Sequence, residues 1–169
     1  MNSDQATFLL NFLLPQVEEE ATTTGRVLAA VSNNNYKPDA NSRSSYDLAW
    51  HIASSDVWFL NSIADGTFPM EEAKPPATLK TGKDIAAWYG VELPKGVARV
   101  RAMAADALAK ELNFFGMFNL PAVAYLQFLL KHSVHHRGQL ASYLRASGSK
   151  VPNIYGGSYD EPLQMPAGA

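Results

Sequence analysis

The sequence predicts an all-α fold, a bundle of four helices. Four long segments repeat apolar side chains at three- and four-residue spacing, and loops rich in proline, glycine and asparagine separate them. No strand pattern competes with these segments, and no repeat indicates a solenoid. At 169 residues, 47% of them hydrophobic, the chain has the size of one domain. We therefore expect a single domain over residues 1–169, with an irregular tail over 149–169 that packs in part on the bundle.

The first helix begins near Ser3 or Asp4, either of which can cap it. Pro15 lacks the amide hydrogen that a helix interior uses, so it predicts a kink or a division of this helix. The turn-forming segment NNNYKPD, which begins at Asn33, ends the pattern. The expected apolar positions are Phe8, Leu9, Phe12, Leu13, Val17, Val27, Leu28 and Val31.

The second helix begins at Ser44, which forms a capping pair with Asp47, and runs to about Ala64. The segment that follows, DGTFPMEEAKPPATLKTG, is rich in proline and glycine and therefore forms a loop. The positions at helical spacing in the second helix are Leu48, His51, Ile52, Ser55, Phe59 and Ile63.

The third helix begins at a second capping pair, Thr81 with Asp84. Gly90 and Pro94 are both unfavourable in a helix interior, and they predict a kink or a break. Its candidate core residues are Ile85, Trp88, Tyr89, Val97 and Val100.

The fourth helix follows an aromatic-rich connector over residues 112–120, and Asn119 is a plausible start for it. The helix should run from about Leu120 to Ala146, with Gly148 as a left-handed cap. Ile154, Tyr155 and Tyr159 indicate that the first half of the tail packs on the bundle.

Composition excludes several classes of function. The absence of cysteine removes disulfides, thiolate metal sites, cysteine nucleophiles and iron–sulfur clusters. The 14 basic and 16 acidic side chains give no positive surface for a nucleic acid. The N-terminal apolar run is short and has no basic leader, so we expect a cytoplasmic protein that does not contact membranes. Phosphate-binding glycine loops, nucleophile elbows and paired-carboxylate motifs are also missing from the sequence.

Three of the four histidines fall where a metal site could form. His132 and His136 lie about 40° apart on a helix and one turn removed, so both rings can converge on one ion. His135 is rotated by about 100° from His136 and fits the pair poorly. His51 lies on the expected inward face of the second helix, which makes it the natural third ligand. Three imidazoles with an open fourth position form the kind of site that lowers the pKa of a bound water or thiol.

Neighbouring polar residues have a functional and a structural interpretation. Gln139 and Tyr143 fall within about 20° of the histidine line, where they could form a hydrogen-bonded second tier or simply pack. Asp47 lies one turn before His51 and could orient that ring, although a helix cap is the simpler interpretation. Arg137 is rotated by about 100° from the line, as a surface or interface ion pair would be.

The histidine pattern and the aromatic residues each have an alternative interpretation. A histidine pair at this spacing also arises by chance, and a histidine on an apolar face is usually a hydrogen-bonded core residue. The aromatic residues predict a core, with part of them as an alternative lining of a substrate pocket or a dimer interface. These aromatic residues are Trp50, Trp58, Phe59, Trp88, Phe114, Phe115 and Phe118.

Two passages resemble the DinB-like family, the damage-inducible proteins of bacteria. The segment KHSVHHRGQLASYLRASGSKVPNIYGGSYDE combines the family's H-x-x-x-H-R-G-Q-L motif with Y-L-R, V-P and an I-Y-G…DE tail. The segment LAWHIA resembles the family's histidine segment in the second helix. The first and third helices agree with the family only in pattern.

The resemblance implies an up-down-down-up four-helix bundle, often homodimeric, in which three histidines bind zinc, nickel or a similar divalent ion. By motif, those ligands are His51, His132 and His136, and His135 is a neighbour of the site. Family members of known activity include thiol transferases that use bacillithiol or mycothiol and related isomerases. The resemblance thus favours a metal-dependent transferase with a low-molecular-weight thiol as co-substrate and a small-molecule substrate.

Two other functions fit the same ligands. A hydrolase would use metal-activated water in place of the thiol. A non-enzymatic stress-response dimer would use the metal only to hold the second helix to the fourth. An open site beside a cavity favours an enzyme, whereas a fourth protein ligand favours the structural role.

Overall fold

The computed structural model describes residues 1–71 and 73–163, and four long helices dominate this part of the chain. A short helix and a two-stranded hairpin connect the third long helix to the last one. In chain order the elements are α1 (Ser3–Ala29), α2 (Ser45–Asp65), α3 (Gly82–Arg101), α4 (Ala105–Ala109), β1 (Glu111–Phe114), β2 (Phe118–Pro121), a 3₁₀ turn (Ala122–Ala124) and α5 (Tyr125–Ala146).

Side-chain caps set the starts of the first three long helices, and two of them, on α2 and α3, are the predicted ones. Ser44 and Thr81 are the N-caps of α2 and α3, and Thr81 forms a complete capping box with Asp84. In α1 the cap is Asn2, which precedes both candidates that the sequence suggested. Its side chain accepts from the amide of Gln5, and the Gln5 side chain accepts from the Asn2 amide.

Pro15 and Pro94 do not divide their helices, so the predicted division of α1 and break of α3 are wrong. Both helices are continuous through the proline. Both proline side chains are exposed. Proline has no amide hydrogen to donate to the carbonyl four residues earlier. That carbonyl therefore lies on the solvent-exposed side of the helix, where water can replace the missing hydrogen bond.

The aromatic connector forms a β-hairpin, contrary to the expectation that the chain contains no strands. Phe114 pairs with Phe118 in an antiparallel register, and the turn between them is closed by a 3.0 Å bond from the Met117 amide to the Phe114 carbonyl. The strands have four residues each, too few to show an alternating pattern. Because β2 occupies residues up to Pro121, α5 begins at Tyr125, later than predicted.

The long helices form the predicted all-α, up-down-down-up bundle. Helix α1 packs against α3 and α5, and α2 packs against the same two helices. Gly96 brings α3 close to α2, since a Cβ atom at that position would lie 2.8 Å from the Cβ of Leu60. None of the helices in the described ranges has the length and hydropathy needed to span a membrane.

The described part of the tail lies on the bundle. Gly148 has the expected left-handed backbone, with a φ of 79°, and Val151 and Ile154 pack against the core. Tyr155 is mostly exposed but its hydroxyl reaches Glu20. Tyr159 is 91% exposed, so the expectation that it packs is wrong. Residues 164–169 of the predicted tail lie outside the described residues.

Candidate metal centre

Helices α2 and α5 bring His51, His132 and His136 together, and we call these three residues the histidine cluster. The Nε2 atom of His51 lies 3.0 Å from that of His132 and 3.3 Å from that of His136. One ligand atom from each residue lies within 4.8 Å of the other two. All three side chains are partly buried, whereas His135 is exposed. The structure therefore gathers the three predicted ligands and leaves His135 outside.

The spacing of these nitrogen atoms fits one divalent ion. Two nitrogens bound at about 2.0–2.1 Å to a tetrahedral zinc lie about 3.3 Å apart. The two measured separations from His51 are 3.0 and 3.3 Å. Nitrogen and oxygen ligands are the types expected in a chain without cysteine.

Burial keeps the imidazoles neutral, which is the form that binds a metal. It lowers the pKa of His51 to about 4, and the charges of Arg43 and His136 act in the same direction. Burial, followed by the neighbouring histidines, lowers the pKa of His132 to about 3. Burial also lowers the pKa of His136, although its hydrogen bond to Gln139 partly opposes this effect. Each ring then offers a lone pair at neutral pH.

Gln139 orients one of the three rings. The Nδ1 atom of His136 lies 3.0 Å from the Gln139 side-chain oxygen, so it donates and leaves Nε2 free for an ion. The Gln139 amide in turn lies 3.4 Å from the hydroxyl of Tyr143. The structure therefore places the predicted second tier as a chain from His136 through Gln139 to Tyr143.

Asp47 does not orient a ring as Gln139 does, and among the described residues none bonds the Nδ1 atom of His132. The Asp47 carboxylate accepts a 2.6 Å bond from Ser44, which is the helix-cap interpretation and not the ring-orienting one. The Nδ1 atom of His132 is buried and has no hydrogen-bond partner among the described residues.

A cavity of about 280 Å³ opens beside the cluster, with His51 in its wall. The loop after α2 supplies part of the opposite wall. The Trp58 indole holds that loop by a 3.2 Å bond to the Pro69 carbonyl, and the Trp50 indole does so by a 2.6 Å bond to Ala73. A pocket lining was the alternative expectation for part of the aromatic residues, and Trp58 and Phe115 are the two of that set that line this cavity. The other lining residues are Arg43, Ser54, Ser55, Pro69, Met70, Glu71 and Ala73.

A second polar group lies deeper between the helices, and we call it the Asp56 network. It links all four long helices and the tail through side-chain hydrogen bonds and one ion pair. Among its members the sequence predicted Tyr89 as a core residue, Tyr155 as a packing residue of the tail and Arg137 as an ion-pair residue, but it predicted no buried polar network. The network consists of Glu20 and Thr24 from α1, Asp56 from α2, Tyr89 from α3, Ser133 and Arg137 from α5, and Tyr155 from the tail.

Arg137 is the cation of this network, and the expectation that it forms an ion pair is confirmed, whereas a place on the surface is wrong, because the side chain is only 1% exposed. It forms a 2.5 Å ion pair with Glu20 and donates to Thr24 at 3.2 Å. It also bonds the hydroxyl of Tyr155. The helical rotation that turns Arg137 away from the histidines turns it into the bundle, toward α1.

Asp56 supplies the carboxyl group at the centre of the network. Its Oδ2 atom accepts from Tyr89 at 2.8 Å and from Ser133 at 2.9 Å, while Oδ1 is buried without a partner among the described residues. Burial raises the pKa of Asp56 to about 7, and its two hydrogen bonds and the Arg137 charge oppose this only in part.

Comparisons with known proteins identify the family of this chain. A family model described as the DinB family matches residues 3–165. The uncharacterized protein YrdA of Bacillus subtilis is 29% identical over 157 residues, which cover 90% of this chain and 91% of that protein. The uncharacterized protein YjoA of the same organism is 30% identical over 115 residues, 67% of this chain and 73% of that protein.

Solved structures show the same fold. The crystal structure of YjoA, a DinB-like protein from Bacillus subtilis, matches with a TM-score of 0.68 at 23% identity, over 89% of this chain and 99% of that one. A DinB-like protein from Bacillus cereus matches with a TM-score of 0.70 at 22% identity, over 85% of this chain and 95% of that one. The family model covers nearly the whole chain, including every residue of the histidine cluster, and the chain therefore belongs to the DinB family.

Proposed function

We propose that the histidine cluster binds a divalent transition metal, zinc or nickel, and that the protein is a metal-dependent enzyme that transfers a low-molecular-weight thiol to a small-molecule electrophile. The observation that carries this proposal is the convergence of three neutral imidazoles, one of which, His51, lines a cavity. A structural ion needs no cavity beside it, and a reactive one does.

The chain's own residues supply binding and orientation. His51, His132 and His136 would hold the ion, and Gln139 fixes the His136 ring in the tautomer that leaves Nε2 unprotonated. When bound, the ion supplies a positive charge that favours the deprotonated form of a thiol. In the overall reaction the thiol loses its proton to solvent, a sulfur–carbon bond forms, and the bond between carbon and the leaving group breaks as that group departs with its electron pair. The cavity next to His51 provides the space for the electrophile.

Metal content and thiol dependence test the proposal together. Purified protein should contain about one zinc or nickel ion per chain, and it should consume 1-chloro-2,4-dinitrobenzene faster in the presence of a thiol. His51→Ala should lose the metal and the thiol-dependent rate. His135→Ala is the matched control, because this neighbouring histidine lies outside the cluster and is exposed. Undiminished metal content in His51→Ala would exclude the proposed ligand set.

The same measurements distinguish the proposed transferase from a hydrolase and from a protein with a structural ion. Turnover of ester or amide panels without thiol would indicate a hydrolase instead. Bound metal with no turnover of either kind would indicate a structural ion. In that case metal removal should lower the stability of the protein, since the ion would then hold α2 to α5.

We also propose that the protein is a homodimer, as the family resemblance implies. An exposed apolar surface on α1 supports this, because Phe8 is 69% and Phe12 is 60% exposed and their rings are stacked. Sedimentation equilibrium at micromolar concentration measures the oligomeric state, and a molar mass near the 18.4 kDa of one chain would contradict the proposal.

A further inference from the structure

The turn of the β-hairpin carries an unusual residue. Phe115 has a φ of 55° and the following Gly116 has a φ of 77°, so both central residues of the turn are left-handed. Turns of this kind favour Asn-Gly or Asp-Gly, because asparagine, aspartate and glycine tolerate this backbone. A bulky aromatic residue is strained there. The rest of the turn is well made, since the Asn113 side chain accepts a 2.8 Å bond from the Gly116 amide.

The strained backbone directs the Phe115 ring into the cavity beside the histidine cluster. The ring is stacked on that of Trp58, with 6.2 Å between centroids and 19° between planes. It also packs on Phe114, at 4.6 Å. Phe115 is still 37% exposed and lines the same cavity as His51. Asparagine would form this turn with less backbone strain. The phenyl ring is therefore explained by its contacts outside the turn.

One side of the cavity is apolar. Phe115 and Trp58 form the aromatic wall, and Met70 lies in the loop that borders it. Methionine is flexible and adapts to ligands of different shape. The volume of about 280 Å³ is larger than the cavity of about 150 Å³ that holds a benzene molecule. The space therefore accepts one substituted ring.

We propose that Phe115 and Trp58 form an aromatic wall that determines specificity, and that the substrate carries a flat apolar group, aryl or benzyl, that lies against this wall. The proposal rests on the proposed function in one respect, which is that the reactive end of the substrate lies toward His51. The wall itself requires no metal, because none of its contacts involves the histidine nitrogens.

Benzyl alcohol and cyclohexylmethanol are probes that differ chiefly in the aromaticity of the ring. The chain has three tryptophans, so a two-dimensional NMR spectrum of the ¹⁵N-labelled full chain shows three indole N–H signals. Benzyl alcohol should shift the Trp58 signal and leave that of Trp88, which packs on Trp50 and does not line this cavity, unchanged. It should bind about three- to tenfold more tightly than cyclohexylmethanol, the range expected for one aromatic contact.

Phe115→Asn is the decisive variant, because asparagine suits the turn and removes the ring. Its melting temperature should equal or exceed that of the wild type, while its affinity for benzyl alcohol should fall about three- to tenfold. Met117→Asn is the matched control, since Met117 is 66% exposed in the same hairpin and does not line the cavity. It should leave the affinity unchanged. If Phe115→Asn does not fold, Phe115→Leu decides, and it should lose the preference for benzyl alcohol over cyclohexylmethanol.

The wall is refuted if the Trp58 signal does not respond to benzyl alcohol in the wild type, or if Phe115→Asn binds it with wild-type affinity. The titrations are made on the protein as isolated and again after removal of metal by chelation. A chain that binds no metal but retains the aromatic preference would refute the proposed function alone. A metal-containing, thiol-dependent enzyme without the preference would refute the aromatic wall alone.

Discussion

The histidine cluster and the Asp56 network are built on the same two helices, α2 and α5, and they differ in what satisfies their polar atoms. In the cluster, three ring nitrogens face one another beside a cavity. In the network, Arg137 is only 1% exposed and is paired with Glu20. Neutral ring nitrogens that converge beside a cavity are arranged for a ligand, whereas a buried ion pair such as that of Arg137 with Glu20 joins two helices.

The two regions are interleaved along α5. His132 and His136 are each followed directly by a member of the network, Ser133 and Arg137. A step of one residue rotates the side chain by about 100°, so the two histidines face α2 while Arg137 faces α1. Ser133 lies between them and contacts Asp56 of α2 and Thr24 of α1. In the family motif H-x-x-x-H-R, the arginine is thus a structural residue in this chain, and its contacts with Glu20 and Thr24 join α5 to α1.

Removal of the Arg137 charge should give the largest loss of stability. Arg137→Met leaves the Glu20 carboxylate and the Thr24 hydroxyl without their buried partner, and we expect the free energy of unfolding to fall by about 3–5 kcal/mol. Urea unfolding followed by circular dichroism measures the change. In the histidine cluster we expect a much smaller loss. His132→Gln in metal-free protein removes no ion pair, so the free energy of unfolding should fall far less than in Arg137→Met.

Two further variants sharpen this comparison. Arg145→Met removes an ion pair with Asp160 from the exposed end of the same helix and should cost at most about 1 kcal/mol. The double variant Glu20→Met, Arg137→Met should be more stable than Arg137→Met alone, because no unpaired charge remains. A double variant that is less stable would show that Arg137 acts through packing and not through its charge.

Gln139 should affect metal binding and leave the fold unchanged. Gln139→Met removes the acceptor of the His136 Nδ1 hydrogen, so we expect the affinity for zinc to fall about 10- to 100-fold, equivalent to about 1.4–2.7 kcal/mol. Competition with a zinc chelator measures the affinity. The unfolding free energy of the metal-free variant should stay within about 0.5 kcal/mol of the wild type, since Gln139 is exposed. Equal losses of affinity and stability would contradict the separation of the two regions.

The sequence predicted those parts of the molecule that depend on local chemistry. Capping by Ser44 and Thr81 and the helical pairing of His132 with His136 depend on residues within one or two turns, and the structure confirms both. The hairpin did not follow from the sequence, because its turn uses Phe115 where local preferences favour asparagine. Its place beside the cavity results from tertiary contacts with Trp58, which no short pattern reports.

Arg137 shows a second limit of sequence reasoning. The helical angle correctly separated it from the histidine line, but an angle does not indicate which neighbouring helix lies on that side. Arginine is rarely buried without a partner, so a surface position was the natural expectation. The partner, Glu20, lies 117 residues earlier in the chain, and only the packing of α1 against α5 brings the two together.

Acidity should affect the two regions in opposite directions, with a slope of at most about 1.4 kcal/mol per pH unit for one group. In metal-free protein, the pKa of His51 is about 4 and that of His132 about 3, both below the ordinary value of 6.5. The unfolded chain therefore binds more protons between these values, and stability falls as the pH drops below about 6.5. Solvent screening makes this slope shallower, because the rings are partly exposed.

Asp56 behaves in the opposite way, because its pKa is raised from 3.8 to about 7 in the folded chain. The folded state binds more protons than the unfolded state between these values, so its contribution to stability is lost as the pH rises from about 4 to about 7. Asp56→Asn should therefore gain stability relative to the wild type as the pH rises through this range and level off above it. His132→Gln should gain relative to the wild type as the pH falls below 6.5. Urea unfolding of the chelator-treated proteins between pH 4 and pH 8 measures both differences, and slopes of the same sign would show that the two regions titrate as one group.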